Sequence, residues 1–398
     1  MWCNKCVGYG LLVVLLVVPG HEHAALRDTT ATFSGQVRVL ASSSGALQAR
    51  RLTDQVPSAV AIDARTGRAF ILTYPSDGTG PRHILVIATR TGALVHTVAL
   101  PGPLNAVVAV TTTNRVLVAD GRTIRLLDSR TGALLSPIVL PCHGIPQGLA
   151  AAPLFRRVFV DYGDGSLTTL DAETGVVLHS SNLGGALTIA VHERTGHVLV
   201  VGRDINTGRP LVVSMLDAAT GGIVHRSYLH RMPHGGAISA RAEHVFAIDG
   251  NIIDMIDART GRIERSVRVS IHPWSLAEST ELGRVYVLTG AYFDAESNPN
   301  EPGTVSTLDV HTGIIVRSVT LGKAAFEPSP SAIAVDPGTK RVWVLSTDAH
   351  RFGGVSVLNA DTGALLYTVH PARNALPAAI AVDSQAERLI EADVVLKG

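Results

Sequence analysis

Three histidines in similar positions along the chain are the first candidates for chemistry. His143, His234 and His272 each fall at or just before an apolar segment that predicts a β-strand. Imidazoles brought together from separate segments could bind zinc or copper. Histidine also fills half-buried positions and hydrogen-bonds loop carbonyls, so a structural role is the competing interpretation. A second, weaker group comprises His225, His230 and His234 on one connecting segment.

A polar loop provides the second candidate site. Its oxygen-bearing side chains include Asp294, Glu296 and Asn298. Such ligands suit a hard cation such as calcium, although their spacing is not that of an EF-hand loop. A solvated polar loop is the competing interpretation. The sequence therefore leaves the cofactor unknown, with calcium, zinc and copper as the candidates.

Four aspartates follow short apolar segments, namely Asp120, Asp161, Asp249 and Asp393. Carboxylates arranged in a ring could perform acid/base chemistry or bind a cation. Capping of tight turns is the favoured interpretation, because Asp side chains accept hydrogen bonds from backbone N–H groups in turns. No nucleophile elbow, HExxH, P-loop or dinucleotide fingerprint is present, so no catalytic residue is assigned.

The elements that must position these residues arise from an internal repeat. A pattern close to Asp-x-x-Thr-Gly, flanked by apolar segments, recurs with successive Thr residues about 40 to 52 positions apart, a spacing typical of propeller blades. Its seven clear copies are 88–92, 128–132, 171–175, 217–221, 257–261, 309–313 and 359–363, and a divergent eighth lies within 39–47. A second hairpin alternates with the first, as at 61–71, 334–344 and 381–389. Gly and Asp in these turns favour short β-hairpins over helices.

Eight hairpins of each kind predict an all-β fold, a single β-propeller of eight four-stranded antiparallel blades. We name the strands of a blade a, b, c and d in order. Seven blades remain the alternative if one hairpin is a decoration. The chain begins with a c–d hairpin near 37–52 and ends with an a–b hairpin near 378–395. Because separate half-blades would expose apolar edges, we expect the N- and C-terminal strands to close the last blade together.

The alternating hairpins resemble the YVTN-type β-propeller repeat family. The resemblance is carried by Ser331–Asp336, Lys340–Val344 and Val355–Leu365, and it extends over about 35 to 395. It implies a propeller and an extracytoplasmic location. Related propellers include surface-layer, binding and quinoprotein-like proteins, so the resemblance does not specify a function.

The N-terminal segment predicts export. Lys5 precedes the apolar run Val7–Val18, and small residues follow at Ala24 and Ala25. The run is short for a bilayer span, which needs about 20 residues, so a signal peptide is predicted. The predicted divisions are a signal peptide at 1–25, a linker at 26–34 and the propeller at 35–398. An uncleaved signal that anchors the chain to a membrane is the alternative.

The remaining composition limits the partners. A formal net charge of +1 and an aromatic content of 5% argue against nucleic-acid binding. Only Cys142 would remain after signal cleavage, which excludes an internal disulfide and a cysteine-based zinc site.

Long b–c loops on one face predict the binding surface. Its candidate residues are Tyr74, Arg203, Tyr292, Phe293, Arg351 and Phe352. The predicted function is a secreted, monomeric binding or scaffold module for a protein, a peptide or a cell-envelope component. The alternatives are a metal- or quinone-dependent enzyme of quinoprotein or lactonase type, and a surface-layer structural protein. Whether the chain is an enzyme is left open, with a non-enzymatic role favoured.

Overall fold

Short apolar segments alternate with tight turns throughout the chain, and in the computed structural model they form antiparallel strands. The structure describes residues 32–140, 144–162, 164–183, 186–192, 194–202, 212–229, 238–239, 243–269, 273–289, 303–321, 328–348, 353–369 and 375–397. Within these ranges one short 3-10 helix, Pro153–Phe155, accompanies the strands. No helix in the described ranges is long and apolar enough to cross a membrane.

The strands of the first half of the chain are β1 Thr32–Ala41, β2 Leu47–Thr53, β3 Val56–Asp63, β4 Arg68–Tyr74, β5 Arg82–Ala88, β6 Leu94–Leu100, β7 Leu104–Val110, β8 Arg115–Asp120, β9 Thr123–Asp128, β10 Leu134–Val139, β11 Gly148–Ala152, β12 Arg157–Asp161, β13 Ser166–Asp171, β14 Val177–Asn182, β15 Ala186–His192 and β16 His197–Gly202. Those of the second half are β17 Val212–Asp217, β18 Ile223–Tyr228, β19 Ile238–Ser239, β20 His244–Asp249, β21 Ile252–Asp257, β22 Ile263–Arg268, β23 Pro273–Ser279, β24 Arg284–Thr289, β25 Thr304–Asp309, β26 Ile315–Thr320, β27 Pro328–Asp336, β28 Arg341–Asp348, β29 Gly353–Asn359, β30 Leu365–Val369, β31 Ala375–Asp383 and β32 Arg388–Lys397.

These strands form eight four-stranded sheets, which are the blades of a ring. Blade 1 contains β3–β6, and each following set of four strands forms the next blade, up to β27–β30 in blade 7. Blade 8 has the order β31-β32-β1-β2. The predicted eight blades are confirmed, and so is their closure by both chain ends.

The closing pair joins β1 to β32 along the full length of both strands. Thr32 lies opposite Lys397, and Ala41 lies opposite Arg388. Because β1 begins at Thr32, residues 32–34 of the predicted linker pair within blade 8. The first strand of each blade contacts the first strand of the next, and β31 contacts β3, which completes the ring.

Apolar side chains fill the space between every two neighbouring blades. Successive residues along each strand face opposite sides, so one faces the preceding blade and the next faces the following blade. In β8, for example, Val116 and Val118 pack against blade 1, whereas Leu117 and Ala119 pack against blade 3. Eight such clusters, one per interface, form the core. Full burial of a Val or Leu side chain stabilises the fold by roughly 1.5–3 kcal/mol.

The repeated motif builds the c–d turn. In blade 4, Asp217 Oδ1 accepts hydrogen bonds from the backbone N–H of Ala219 (3.1 Å) and Thr220 (2.7 Å) and from the Thr220 hydroxyl (2.8 Å). These bonds hold the pKa of Asp217 below its ordinary value. Gly221 then adopts φ +73°, a left-handed conformation that suits glycine. The sequence prediction of Asp-capped, Gly-closed hairpins is confirmed.

Candidate functional site

The two edges of the ring carry different kinds of connection. We call the edge with the a–b and c–d turns the turn face. The a–b turns have equal length in all eight blades, as at 64–67 and 337–340, and so do the c–d turns, as at 89–93 and 360–364. The loop face is the opposite edge, with the b–c connections and the links from strand d to the next blade. Its b–c connections range from two residues at 121–122 and 250–251 to the much longer 203–211 and 290–303.

Loop 75–81 of blade 1 is a long b–c connection that the structure describes completely. Gly78 N–H donates to the Pro75 carbonyl at 3.0 Å, and Thr79 N–H donates to Asp77 Oδ1 at 2.9 Å. The side chains from Ser76 to Pro81 are exposed. The loop therefore forms an ordered, solvent-facing projection.

The base of this loop is fixed by a buried amide. Gln55 Nε2 donates to the Pro81 carbonyl at 2.8 Å, and its Oε1 accepts from the Thr73 hydroxyl at 2.8 Å. Gln55 is buried and precedes β3, so it joins the end of the loop to the link that enters blade 1. Hydrogen bonds from a buried residue behind a loop, such as those of Gln55, hold the loop in one conformation.

Tyr74 is the one predicted binding-face residue that falls within the described ranges. It ends β4 and is half-buried, and burial raises the pKa of its phenol. Alternation along β4 puts Tyr74 on the same side as Phe70 and Leu72, which pack against blade 2. Its ring therefore lies between two blades at the loop face.

The neighbouring links follow the same pattern of backbone anchoring. Gly121 N–H in the tight b–c turn of blade 2 donates to the Pro103 carbonyl at 2.8 Å. Asn105 Nδ2 donates to the Pro146 carbonyl at 2.9 Å and so connects blade 2 to the link that enters blade 3. The described part of the loop face is thus a fixed scaffold around loop 75–81.

The strand-b aspartates lie buried between neighbouring blades. Alternation puts Asp120 in the interface of blades 1 and 2, and Asp161 in that of blades 3 and 4. Asp249 and Asp393 lie in the interfaces of blades 4 and 5 and of blades 7 and 8. All four are buried, and Asp120 Oδ2 accepts from Arg125 Nε at 2.7 Å. Each carboxylate therefore belongs to a separate interface.

Blade 8 contains a polar group that we call the closure cluster: the buried Gln36, Arg38, Glu391 and Asp393, and the exposed Arg50. Asp393 Oδ2 accepts from Gln36 Nε2 at 2.7 Å and from Arg38 Nε at 3.2 Å. Arg38 Nη2 donates to Glu391 Oε1 at 2.5 Å, and Arg50 Nε donates to Gln36 Oε1 at 2.6 Å. These bonds join β1 and β2 to β32.

Most of the predicted site residues fall outside the described residues and remain predictions. These are the metal candidates His143, His234, His272, Asp294, Glu296 and Asn298, together with the binding-face candidates Arg203, Tyr292, Phe293, Arg351 and Phe352. His225 is described: it lies on β18, and its ring lies next to Gly261 of the next blade. Among the described residues, no group of three or more His, Cys, Asp or Glu side chains could hold a metal ion.

The closure cluster was not identified from the sequence. Gln36 and Arg38 are separated from Asp393 by more than 350 positions, and neither segment carries a recognisable motif. The one signal was Glu391 and Asp393 in β32, where the pattern calls for apolar residues. Buried charges on a strand require partners, so a search of the segment expected to pair with β32 would have found Arg38.

No family model matches the sequence, and no curated protein matches it either. The chain is similar to the crystal structure of BamB from Moraxella catarrhalis, with a TM-score of 0.56 and 15% identity over 81% of this chain and 93% of that one. It is also similar to the dihydro-heme d1 dehydrogenase NirN in complex with DHE, with a TM-score of 0.65 and 13% identity over 84% of this chain and 73% of that one. At these identities the likeness shows the propeller fold alone, and the resemblance to YVTN repeats remains a prediction.

Proposed function

We propose that this chain is an extracytoplasmic propeller that binds a protein, a peptide or another component of the cell envelope through its loop face. The ring acts as the scaffold, and the b–c connections supply the contacts. The extracytoplasmic location rests on the predicted signal peptide at 1–25.

The observation that carries this proposal is the contrast between the two faces. On the turn face, a–b and c–d turns keep constant lengths and are joined within each blade, as by the hydrogen bond from Thr89 N–H to the Gly67 carbonyl at 3.0 Å. On the loop face, the b–c connections differ in length from blade to blade. Insertions concentrated on one face of a repeat array are typical of a binding surface.

The anchoring of loop 75–81 supports the same function. Gln55 and Thr73 fix the base of the loop, while its tip is exposed. A loop held in one conformation loses little conformational entropy when it binds a partner. The described geometry therefore suits recognition by a preformed surface.

Site-specific photo-crosslinking tests the proposal. A photoreactive amino acid is introduced at Ser76 in loop 75–81 or, as the matched control, at Ser43 in a c–d turn of the turn face. Both serines are exposed. After irradiation in the native envelope, we expect a discrete crosslinked product from the Ser76 probe and not from the Ser43 probe.

A second variant tests whether binding needs loop 75–81 itself or only the rest of the ring. Replacing 75–81 with a two-residue turn like Gly121-Arg122 should abolish crosslinking from a probe at Pro103, which is exposed on the same face, while the melting temperature stays close to that of the parent. Products from the Ser43 probe alone, or equal products from both faces, would contradict the proposal.

A further inference from the structure

Ring closure joins the two ends of the described chain without a covalent link. The pairing of β1 with β32 holds the first and last strands together. Along the side of this pair that faces blade 1, the residues are apolar, among them Val37, Val39, Ile390 and Ala392. The side that faces blade 7 carries the closure cluster instead, beside Leu40 and Leu389. Polar groups thus line the side of the β1–β32 pair that faces blade 7, whereas apolar groups line the side that faces blade 1.

All members of this cluster except Arg50 are enclosed. Arg38 is 5% exposed, and Gln36, Glu391 and Asp393 are 0% exposed. With both carboxylates ionised, Arg38 would face two negative charges in a medium of low dielectric. An excess buried charge is costly unless it is neutralised.

Two carboxylate oxygens in the cluster lack a donor. Glu391 Oε2 and Asp393 Oδ1 are buried and accept no hydrogen bond. Glu391 and Asp393 are two positions apart on β32, so both side chains project from the same side of the strand. A proton held on one carboxyl and donated to the other would satisfy both oxygens and reduce the charge opposite Arg38 to a single negative.

Among the described side chains, the surroundings supply no further buried cation. From β31, Ile380 and Val382 face the same interface. Across it, β28 and β29 contribute Trp343, Leu345, Val355 and Val357. The titratable and charged groups of blade 7 on this side are Tyr367, Arg341 and Asp336, of which Arg341 and Asp336 lie at the turn-face end of their strands. From β2, Arg50 reaches the cluster through Gln36.

We propose that Glu391 and Asp393 share one proton, and that this proton stabilises the closure of the ring. The carboxylic acid donates to the neighbouring carboxylate, and Arg38 and Gln36 bind the remaining oxygens. While the proton is held, the β1–β32 pair is closed. Once rising pH removes the proton, two adjacent buried carboxylates repel each other, and the hairpin of β1 and β2 loosens.

The direction of the pH effect follows from the burial. Burial, followed by the charge of Asp393, raises the pKa of Glu391 well above that of an ordinary glutamate, and Arg38 only partly opposes this. The folded protein therefore keeps a proton that the unfolded chain has already released. The resulting stability is fully present below the ordinary glutamate pKa, and it is lost as the pH rises through the raised value.

Thermal unfolding of the full chain and of Glu391→Gln between about pH 6 and about pH 9 tests the proposal. Gln is neutral and offers an N–H donor to Asp393, so it imitates the protonated acid. We expect the wild-type melting temperature to fall with rising pH by at least about 2 °C more than that of the variant. Asp120→Asn, a buried carboxylate at a strand-b end outside the closing blade, should keep the wild-type slope.

A local readout distinguishes closure from general stability. Trypsin cleavage after the buried Arg38, divided by cleavage after the exposed Arg90, should rise with pH in the wild type and stay level in Glu391→Gln. Equal pH profiles for the two proteins would overturn the proposal. So would stabilisation by an added divalent cation that Glu391→Gln abolishes, because the free oxygens would then bind a metal.

An infrared titration of the wild type covers the case in which Glu391→Gln does not fold. We expect a carbonyl stretch of a protonated carboxylic acid at neutral pH, which disappears over the same alkaline range in which the melting temperature falls. The absence of that band at neutral pH would show that both carboxylates are ionised, and it would refute the shared proton.

Discussion

At the residue scale, the glycine of the c–d turn is restricted by its own backbone and by the neighbouring blade. Gly221 has φ +73°. A Cβ added there would lie 2.9 Å from His179 Cδ2 and 3.0 Å from Thr169 Oγ1, both in blade 3. Gly132 has the same relation to His96 of blade 1, whose Cβ would be 3.1 Å away. The glycine is therefore needed both for the turn and for the packing between blades.

The first prediction compares two glycines with the same backbone conformation. Gly221→Ala should destabilise the protein more than Gly283→Ala. Gly283 has φ +62°, and a Cβ there would meet no atom within 4 Å. Both variants lose about 1–2 kcal/mol from the left-handed backbone, and Gly221→Ala loses roughly a further 1–3 kcal/mol from overpacking. Equal free energies of unfolding in chemical denaturation would show that the contact with blade 3 is unimportant.

Residue-level prediction from the sequence succeeded where the backbone imposes the residue type. The Gly of each c–d turn, and the Asp where the repeat has one, were assigned correctly because a single hairpin requires them, as Asp217 and Gly221 show. The closure cluster was missed because its members come from opposite ends of the chain. Local patterns do not show which distant strands will pair.

At the element scale, strand b carries the largest buried side chains. The third residue of this strand is Phe70 in blade 1, Phe159 in blade 3, Tyr286 in blade 6 and Trp343 in blade 7, all of them fully buried. The Tyr286 hydroxyl donates to the Ala360 carbonyl at 3.1 Å and so joins blades 6 and 7, and burial raises the pKa of this phenol. These side chains fill the interfaces between neighbouring blades.

The second prediction concerns Trp343, which packs between blades 7 and 8 with its ring edge-on to Tyr367, at a centroid separation of 6.5 Å. Trp343→Ala should lower the free energy of unfolding by about 3–5 kcal/mol, because it leaves a cavity. Trp343→Phe should cost much less, since the indole N–H has no hydrogen-bond partner to lose. Guanidinium denaturation measures both, and a Phe variant as unstable as the Ala variant would refute the cavity argument.

Strand b also begins with a basic residue that lies opposite a carboxylate, on strand c in some blades and on strand a in others. Arg157 pairs with Asp171 of strand c at 3.2 Å, and Arg284 pairs with Asp309 at 2.9 Å. In blades 7, 8 and 1 the residue opposite on strand c is uncharged, and the carboxylate lies opposite on strand a, at Asp336, Asp383 and Asp63.

At the scale of the whole molecule, the sequence predicted the ring because each repeat needs its neighbours to cover its apolar faces. The count of sixteen hairpins and the half-blades at the two ends were sufficient to predict eight blades and their closure, which the structure confirms. Binding specificity could not be predicted in the same way. Under the proposed function it depends on b–c connections such as 203–211 and 290–303, whose sequences do not repeat from blade to blade.

Closure has a consequence for stability. The blades contact one another in a continuous circle, and the pairing of β1 with β32 holds blade 8 together. Without β1 and β2, blade 8 would keep only β31 and β32, and it would leave a strand edge and the clusters around Val37 and Leu40 exposed. The stability of the entire ring should therefore depend on this N-terminal hairpin.

Deletion of residues 32–53 tests this dependence most directly. We expect the shortened chain to melt well below the parent temperature, and a peptide of residues 32–53 added in trans to restore part of the loss by pairing with β32. If the shortened chain unfolded at the parent temperature with unchanged cooperativity, the terminal strands would not close the ring, and the propeller would not depend on the pairing of its two chain ends.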